Sequence, residues 1–390
     1  MQEAIMATYK RLDVAFEAGE GAWLIDSQGG RYLDALSGIA VCGLGHAHPG
    51  IADVLARQAR RLVHTSNLYR IPLQEELAGR LAGISGMDRV FFGNSGAEAN
   101  EAAIKICRKF ARHEQVEEPV IIVMEGSFHG RTMATLSATG KPEVRAGFDP
   151  LLPGFRYMPY NDIPALEKLE GAGDRVVAVM LEAIQGEGGV IVPGPGYLKA
   201  LRELCDRNGW LLVLDEVQTG MCRTGAWFAY QHEDILPDVV TLAKSLGNGL
   251  PIGACLAAGA AAEMLQPGSH GSTFGGNPLV SAAALAVIDI LSEQDLAERA
   301  AATGRVMLES FRAQLADLDQ VVEIRGKGLM IGIELSGDCG VLVERALERR
   351  LLINVTAGRV VRLLPPLIIT EDELRHIIDT VCSLVRDFTG

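Results

Sequence analysis

Asp215 and Lys244 are the residues of this chain whose types and placement could do chemistry. Leu211-Leu-Val-Leu runs straight into Asp215-Glu216. That is the pattern of a buried parallel strand delivering a carboxylate to its C-terminal end, where open α/β sheets bind ligands. After a second apolar run, Val239-Val-Thr-Leu242, Lys244 sits among small residues in Ala243-Lys-Ser-Leu-Gly-Asn-Gly249. A lysine amine can form a Schiff base with an aldehyde, and a strand-end carboxylate can hold a pyridine nitrogen protonated. Pyridoxal phosphate (PLP) chemistry requires both groups. Taken singly, Asp215 could cap a turn and Lys244 could be a solvated surface charge; taken together at two strand ends they favour chemistry.

A phosphate dianion also needs an anchor. Phe91-Phe-Gly-Asn-Ser95-Gly96-Ala97 reads as strand, small-residue turn and helix, with apolar Ala99, Ala103, Ile106, Cys107 and Phe110 on one side of the helix. The first turn of such a helix exposes unpaired N–H groups and the positive end of the dipole. An ordinary N-cap by Asn94 or Ser95 is the more common use of the same turn. Glu125-Gly-Ser-Phe128-His-Gly-Arg131 follows a third apolar run, so Phe128 could offer a flat ring a stacking face.

These groups need a frame. Arg89–Phe92, Val120–Met124, Val176–Leu181, Leu211–Leu214 and Val239–Leu242 are apolar on both faces and alternate with helical patterns such as Tyr197–Asn208. The expectation is an α/β fold, with a mainly parallel doubly wound sheet in a large domain over residues 61–284. Leu279–Leu291 reads as a long helix leaving that core, and the tail as a smaller α+β unit over 285–390. A hairpin, Trp23–Asp26 and Arg31–Asp34 around Gln28-Gly-Gly, is expected to join the tail, which makes 1–60 part of the small domain.

The 390 residues include 48% hydrophobic residues and 44 glycines, which suits a two-domain α/β protein. The net charge of −13 argues against nucleic acid and anionic membrane as partners. Seven scattered cysteines without a C-x-x-C pair read as reduced thiols of a cytoplasmic protein. The N-terminus is not expected to act as a signal peptide, and the apolar stretch 249–262 is too short and Gly/Ala-rich to span a bilayer. His46-Ala-His48 lacks a completing Cys/His cluster, so no metal is expected.

Leu214-Asp-Glu-Val-Gln-Thr-Gly and Ala243-Lys-Ser-Leu-Gly-Asn-Gly-Leu-Pro-Ile-Gly resemble the signature of class III PLP-dependent aminotransferases, closest to the acetylornithine branch. The resemblance runs from Gly21-Ala-Trp-Leu-Ile-Asp to Val361-Arg-Leu-Leu-Pro-Pro. It implies PLP fold type I, with Lys244 and Asp215 catalytic. Gly96, Ala97, Phe128, Val217 and Gln218 match cofactor contacts, and Thr273 matches a hydroxyl reaching the phosphate from the other subunit of a homodimer with shared active sites. Arg362 matches the reader of the α-carboxylate of glutamate and 2-oxoglutarate, Arg131 the reader of the far carboxylate, and Ser272 a further substrate contact. Glu187 matches a carboxylate that pairs with Arg362 when the donor is an ω-amine, and Glu182 an active-site neighbour of the cofactor. The family segment has Pro after that first Glu, where this chain has Ala183; only a local backbone effect is expected.

The activity implied is transamination of N2-acetyl-L-ornithine with 2-oxoglutarate, giving N-acetyl-L-glutamate 5-semialdehyde and L-glutamate, as in arginine biosynthesis. Ile39 stands where ornithine aminotransferases carry a tyrosine for a free α-amino group, and an apolar residue suits an N-acylated substrate. Succinylornithine, succinyldiaminopimelate and 4-aminobutyrate stay open as substrates. A different class, a non-catalytic PLP-fold binding protein or a nucleotide-binding module, is opposed by the presence of both Lys244 and Asp215. The sequence also lacks G-x-G-x-x-G after its first strand and G-x-x-x-x-G-K-[ST] anywhere.

Overall fold

The computed structural model describes residues 4–170 and 175–389; Met1 to Glu3 and Gly390, the outer ends of the expected small domain, lie outside them. An antiparallel meander opens the chain: β1 (Phe16–Glu20), β2 (Trp23–Asp26) and β3 (Arg31–Asp34). The central sheet follows: β4 (Arg89–Gly93), β5 (Val120–Met124), β6 (Phe155–Met158), β7 (Val176–Glu182), β8 (Leu211–Asp215), β9 (Val239–Leu242) and β10 (Gly253–Ala257). Their order is β4-β10-β9-β8-β7-β5-β6, parallel except for β10, which runs against both neighbours. β7 and β8 are buried along their whole length because helices cover both faces.

Neither β6 nor β10 was among the expected strands. β10, Gly-Ala-Cys-Leu-Ala, lacks the β-branched residues that mark its neighbours. Its small residues answer a packing need: a Cβ on Gly253 would lie 2.1 Å from the carbonyl oxygen of Ser95.

The tail supplies β11 (Val321–Lys327), β12 (Met330–Leu335), β13 (Leu351–Leu352), β14 (Asn354–Thr356) and β15 (Val360–Leu363). Four of these form an antiparallel sheet in the order β11-β12-β15-β14. β13 instead pairs in parallel with β3, bonding the N-terminal meander to the tail. Helix α1 (Pro49–Arg61) and a long helix, α2 (Pro278–Glu293), pack on each other, and their spans include positions 60 and 285.

Candidate active site

Glu182, Asp215 and Thr241 stand in cross-strand register at the C-terminal ends of β7, β8 and β9. In a parallel sheet, residues in register present their side chains to the same face, so this row is a product of strand pairing. Lys244 follows two residues after β9, and the segment Phe128–Arg131 follows β5. Together with the helix that begins at Gly96 they line a cavity of about 480 Å³.

Asp215 is held from three directions. Its Oδ2 meets His129 Nδ1 at 2.8 Å and accepts from Asn100 Nδ2 at 2.7 Å, while Oδ1 accepts from Val217 N at 3.0 Å. Thr241 Oγ1 donates to Asn100 Oδ1 at 2.7 Å, so the amide that grips the aspartate is itself fixed. All four side chains are buried. Glu182 takes the backbone N–H of Phe128 on one oxygen and that of Gly186 on the other, each at 2.9 Å, and so ties the Phe128 backbone to the loop after β7. Burial pushes Glu182 up to about 7; His129 and the two backbone donors work against this rise, and Asp215 adds to it.

The phosphate-anchor geometry is present on the helix Gly96–His113. Ser95 is its N-cap and accepts from Glu98 N, which leaves the N–H groups of Gly96 and Ala97 without helical partners at the cavity wall. A Cβ on Gly96 would lie 2.9 Å from both methyls of Val217, so only glycine lets the helix start sit this close to the strand end. The donor set fits PLP: two amides at a helix N-terminus for phosphate, a carboxylate for a pyridine nitrogen, an aromatic face and an amine.

Lys244 occupies the left-handed region, with φ of 48°, which costs a non-glycine residue roughly 1 kcal/mol. Its neighbour Ser245 ties the turn down by donating to Ala40 O at 2.8 Å. Burial, and then the charge of Arg362, hold the Lys244 amine below the ordinary lysine range, with Glu187, Asp215 and Glu182 opposing. A lysine so placed reaches the neutral, basic form more readily than a solvated one.

Arg362, on β15, is fully buried and pairs with Glu187: Nη1 to Oε1 is 2.6 Å. Its Nε and Nη2 both donate to Asn354 Oδ1, at 3.2 and 2.7 Å, and Nη1 lies 3.5 Å from Gln218 Oε1. Burial raises the Glu187 carboxyl, but Arg362, Lys244 and Lys141 outweigh it and leave the group below its ordinary value. Lys141 Nζ and Thr356 Oγ1 bond the Glu187 carbonyl at 3.0 and 2.6 Å, which fixes its backbone and leaves only the side chain free to move. Arg131 is exposed at the cavity wall, its Cζ 5.6 Å from the centroid of the Phe128 ring.

Thus Gly96, Ala97, Phe128, Arg131, Glu182, Glu187, Asp215, Val217, Gln218 and Lys244 meet at one cavity. Ser272 and Thr273 do not line it. Ser272 Oγ accepts from Asn94 Nδ2 at 3.2 Å, and Thr273 is exposed on the same loop. Ile39 packs beside Ile184, Val190 and Leu364, and Val41 forms the nearby cavity wall instead. Sequence reasoning passed over His129, Asn100 and Asn354. Asn100 left one usable signal, a polar residue set among the buried Ala99, Ala103 and Cys107 of its helix.

The family model for aminotransferase class-III matches residues 5–385. The chain is 54% identical over 384 residues to the acetylornithine aminotransferase of Nitrosomonas europaea, with 98% of each chain covered. Its fold is similar to that of N-acetylornithine aminotransferase from Stenotrophomonas maltophilia, with TM-score 0.85, 40% identity and 97% of each chain covered. It is also similar to the ornithine aminotransferase of Toxoplasma gondii, with TM-score 0.95 and 36% identity over 99% of this chain and 93% of that one. Fold likeness therefore spans proteins named for two different amines, and the sequence identity leans to the acetylated one.

Proposed function

Since the chain belongs to the class-III aminotransferases, we propose that it moves the δ-amino group of N2-acetyl-L-ornithine to 2-oxoglutarate, giving N-acetyl-L-glutamate 5-semialdehyde and L-glutamate. PLP, when bound, supplies an aldehyde for the amino group and an electron-withdrawing pyridinium ring. The observation that carries the reading is Glu187, which lines the cavity of Lys244 and Asp215 and is the counter-ion of Arg362, buried behind that wall.

The chain's own residues divide the work. The Gly96 and Ala97 amides would hold the phosphate, Phe128 would offer the ring a stacking face, and Gln218 would bond the ring hydroxyl. Asp215, gripped by Asn100, His129 and Val217 N, would face the ring nitrogen and hold its proton. Lys244 Nζ would be the amine that holds the cofactor's aldehyde and the base that takes and returns the proton at the reacting carbon. Arg131 pairs with the carboxylate far from that carbon in both substrates. The near end of acetylornithine has no carboxylate, and there Glu187 stays on Arg362. Glutamate and 2-oxoglutarate bring a second carboxylate, which takes Glu187's place.

A second copy of the chain completes the site in this reading. Thr273 and Phe274 project from the loop that Asn67 and Gln74 pin from beneath, and Leu68 and Tyr69 are exposed close by. Such apolar exposure suits a homodimer interface across which Thr273 reaches the partner's phosphate. The seven free cysteines fit a reducing, cytoplasmic setting, and among the described residues no helix is long and apolar enough to cross a membrane.

The deciding experiment measures the amine half-reaction with acetylornithine, succinylornithine, ornithine and 4-aminobutyrate. Acetylornithine should give the highest kcat/KM. A clear preference for ornithine or 4-aminobutyrate would overturn the substrate while leaving the reaction class.

A further inference from the structure

Arg362 has two close partners, one neutral and one anionic. Asn354 Oδ1 accepts from both Nε and Nη2 and so closes one edge of the guanidinium. Glu187 takes Nη1 alone. The two are also held differently. Asn354 is the direct cross-strand partner of Arg362 in the β14–β15 pair, so the backbone ladder fixes their separation. Glu187 arrives from a loop, and its side chain is 31% exposed against 1% for Arg362. A guanidinium carries only donors, so the Asn354 amide must turn its oxygen inward.

We propose that Asn354 is the positioning residue that lets Arg362 serve as a carboxylate reader, keeping the guanidinium aimed, with no anion set against it, whenever Glu187 leaves. The inference rests on the reading of Arg362 given above. With Glu187 gone and no Asn354, a buried cation would keep only the 3.5 Å approach to Gln218 Oε1 and would turn toward other acceptors. With an acidic residue at 354, the charge would be cancelled permanently and an incoming carboxylate would gain little. A neutral acceptor on one edge avoids both. It satisfies Nε and Nη2 without spending the charge, and it leaves the Nη1 end open for exchange between Glu187 and substrate.

Asn354→Asp tests this in the holoenzyme, because it keeps the acceptor oxygen and adds only charge. Binding of glutarate, an unreactive dicarboxylate, is measured by calorimetry, with KM for 2-oxoglutarate and single-turnover rates for both halves alongside. Glutarate affinity should fall at least tenfold, KM for 2-oxoglutarate should rise by a similar factor, and the glutamate half should lose at least tenfold more than the acetylornithine half. Asn354→Ala, which removes the acceptor without adding charge, should weaken glutarate binding as well, and it decides the matter if the Asp variant does not fold. Wild-type glutarate affinity in a folded Asn354 variant overturns the proposal. Arg362→Ala separates the two levels. If it also leaves glutarate binding intact, the reading of Arg362 fails; if it abolishes binding while the Asn354 variants do not, only the role of Asn354 fails.

Discussion

His129 Nδ1 lies 2.8 Å from Asp215 Oδ2 with both side chains buried, and His129 Nε2 has no hydrogen-bond partner among the described residues. The imidazole therefore has its one side-chain hydrogen bond to the aspartate. It fixes Oδ2 together with Asn100, and Val217 N fixes Oδ1, so the carboxylate plane cannot rotate.

Asp215→Ala should lower single-turnover rates by about a thousandfold or more, which corresponds to about 4 kcal/mol of lost transition-state stabilisation. His129→Leu should cost less, since Asn100 and Val217 still hold the carboxylate. Turnover near wild type in Asp215→Ala would mean that another group protonates the ring.

Lys244→Ala should abolish turnover and yet retain PLP non-covalently, because Asp215, Phe128 and the Gly96–Ala97 turn remain. Borohydride reduction of the wild-type holoenzyme followed by peptide mapping should place the label on Lys244. A label on Lys141, which also lies near Glu187, would reassign the linkage.

The Arg362–Glu187 pair predicts opposite half-reaction profiles. Arg362→Ala should slow the glutamate half far more than the acetylornithine half, Glu187→Ala should do the reverse, and Arg131→Ala should slow both. Losing one partner of a buried hydrogen-bonded charge pair such as Arg362–Glu187 costs about 2–5 kcal/mol, well within stopped-flow resolution. Equal losses in both halves for Arg362→Ala would leave that arginine a structural role only.

Glu216, beside Asp215 but pointed away from the cavity, accepts from Thr219 Oγ1 and Tyr230 N at 2.6 and 3.0 Å. Burial pushes it up to about 7; its hydrogen bonds, from the Ala229 and Tyr230 backbone and the Thr219 hydroxyl, oppose this, and Asp215 adds to it. The folded state thus favours the protonated acid. Its stabilising contribution is complete below about pH 4.5 and is lost as pH rises through about 7. Glu216→Gln mimics the protonated form. Its Tm should gain on wild type between pH 5 and pH 8, by up to about 3 kcal/mol in stability. A pH-independent Tm difference would show that Glu216 does not titrate in this range.

The sequence made part of this site legible because some signals are local. Leu211–Leu214 and Val239–Leu242 are apolar on both faces, and that alone marks buried strands ending at Asp215 and near Lys244. β10 escaped because its small residues answer the closeness of the Ser95 turn, a constraint that exists only after folding. Asn100 and His129 lie 115 and 86 positions from Asp215, and nothing near them in sequence announces the carboxylate they grip. Asn354 is clearer still: it gains meaning only when β14 pairs with β15. Thr273 and Ser272 lie on a loop outside the cavity of one chain: for Thr273 the family resemblance implies a role toward a second copy, while the contact it implies for Ser272 is not seen within one chain.

The parallel pairing of Leu33 with Leu351 carries a consequence for biosynthesis. A nascent chain leaving the ribosome has every strand of the central sheet once β10 is made, so Asp215 and Lys244 can settle while Arg362 is still untranslated. The meander cannot. Its outer edge at β3 keeps its N–H and C=O groups unpaired until some of the last residues arrive, and an open strand edge is a template for pairing with foreign chains. The hazard of misassembly during translation therefore falls on the hairpin at the start of the chain, and the reactive half of the enzyme matures first.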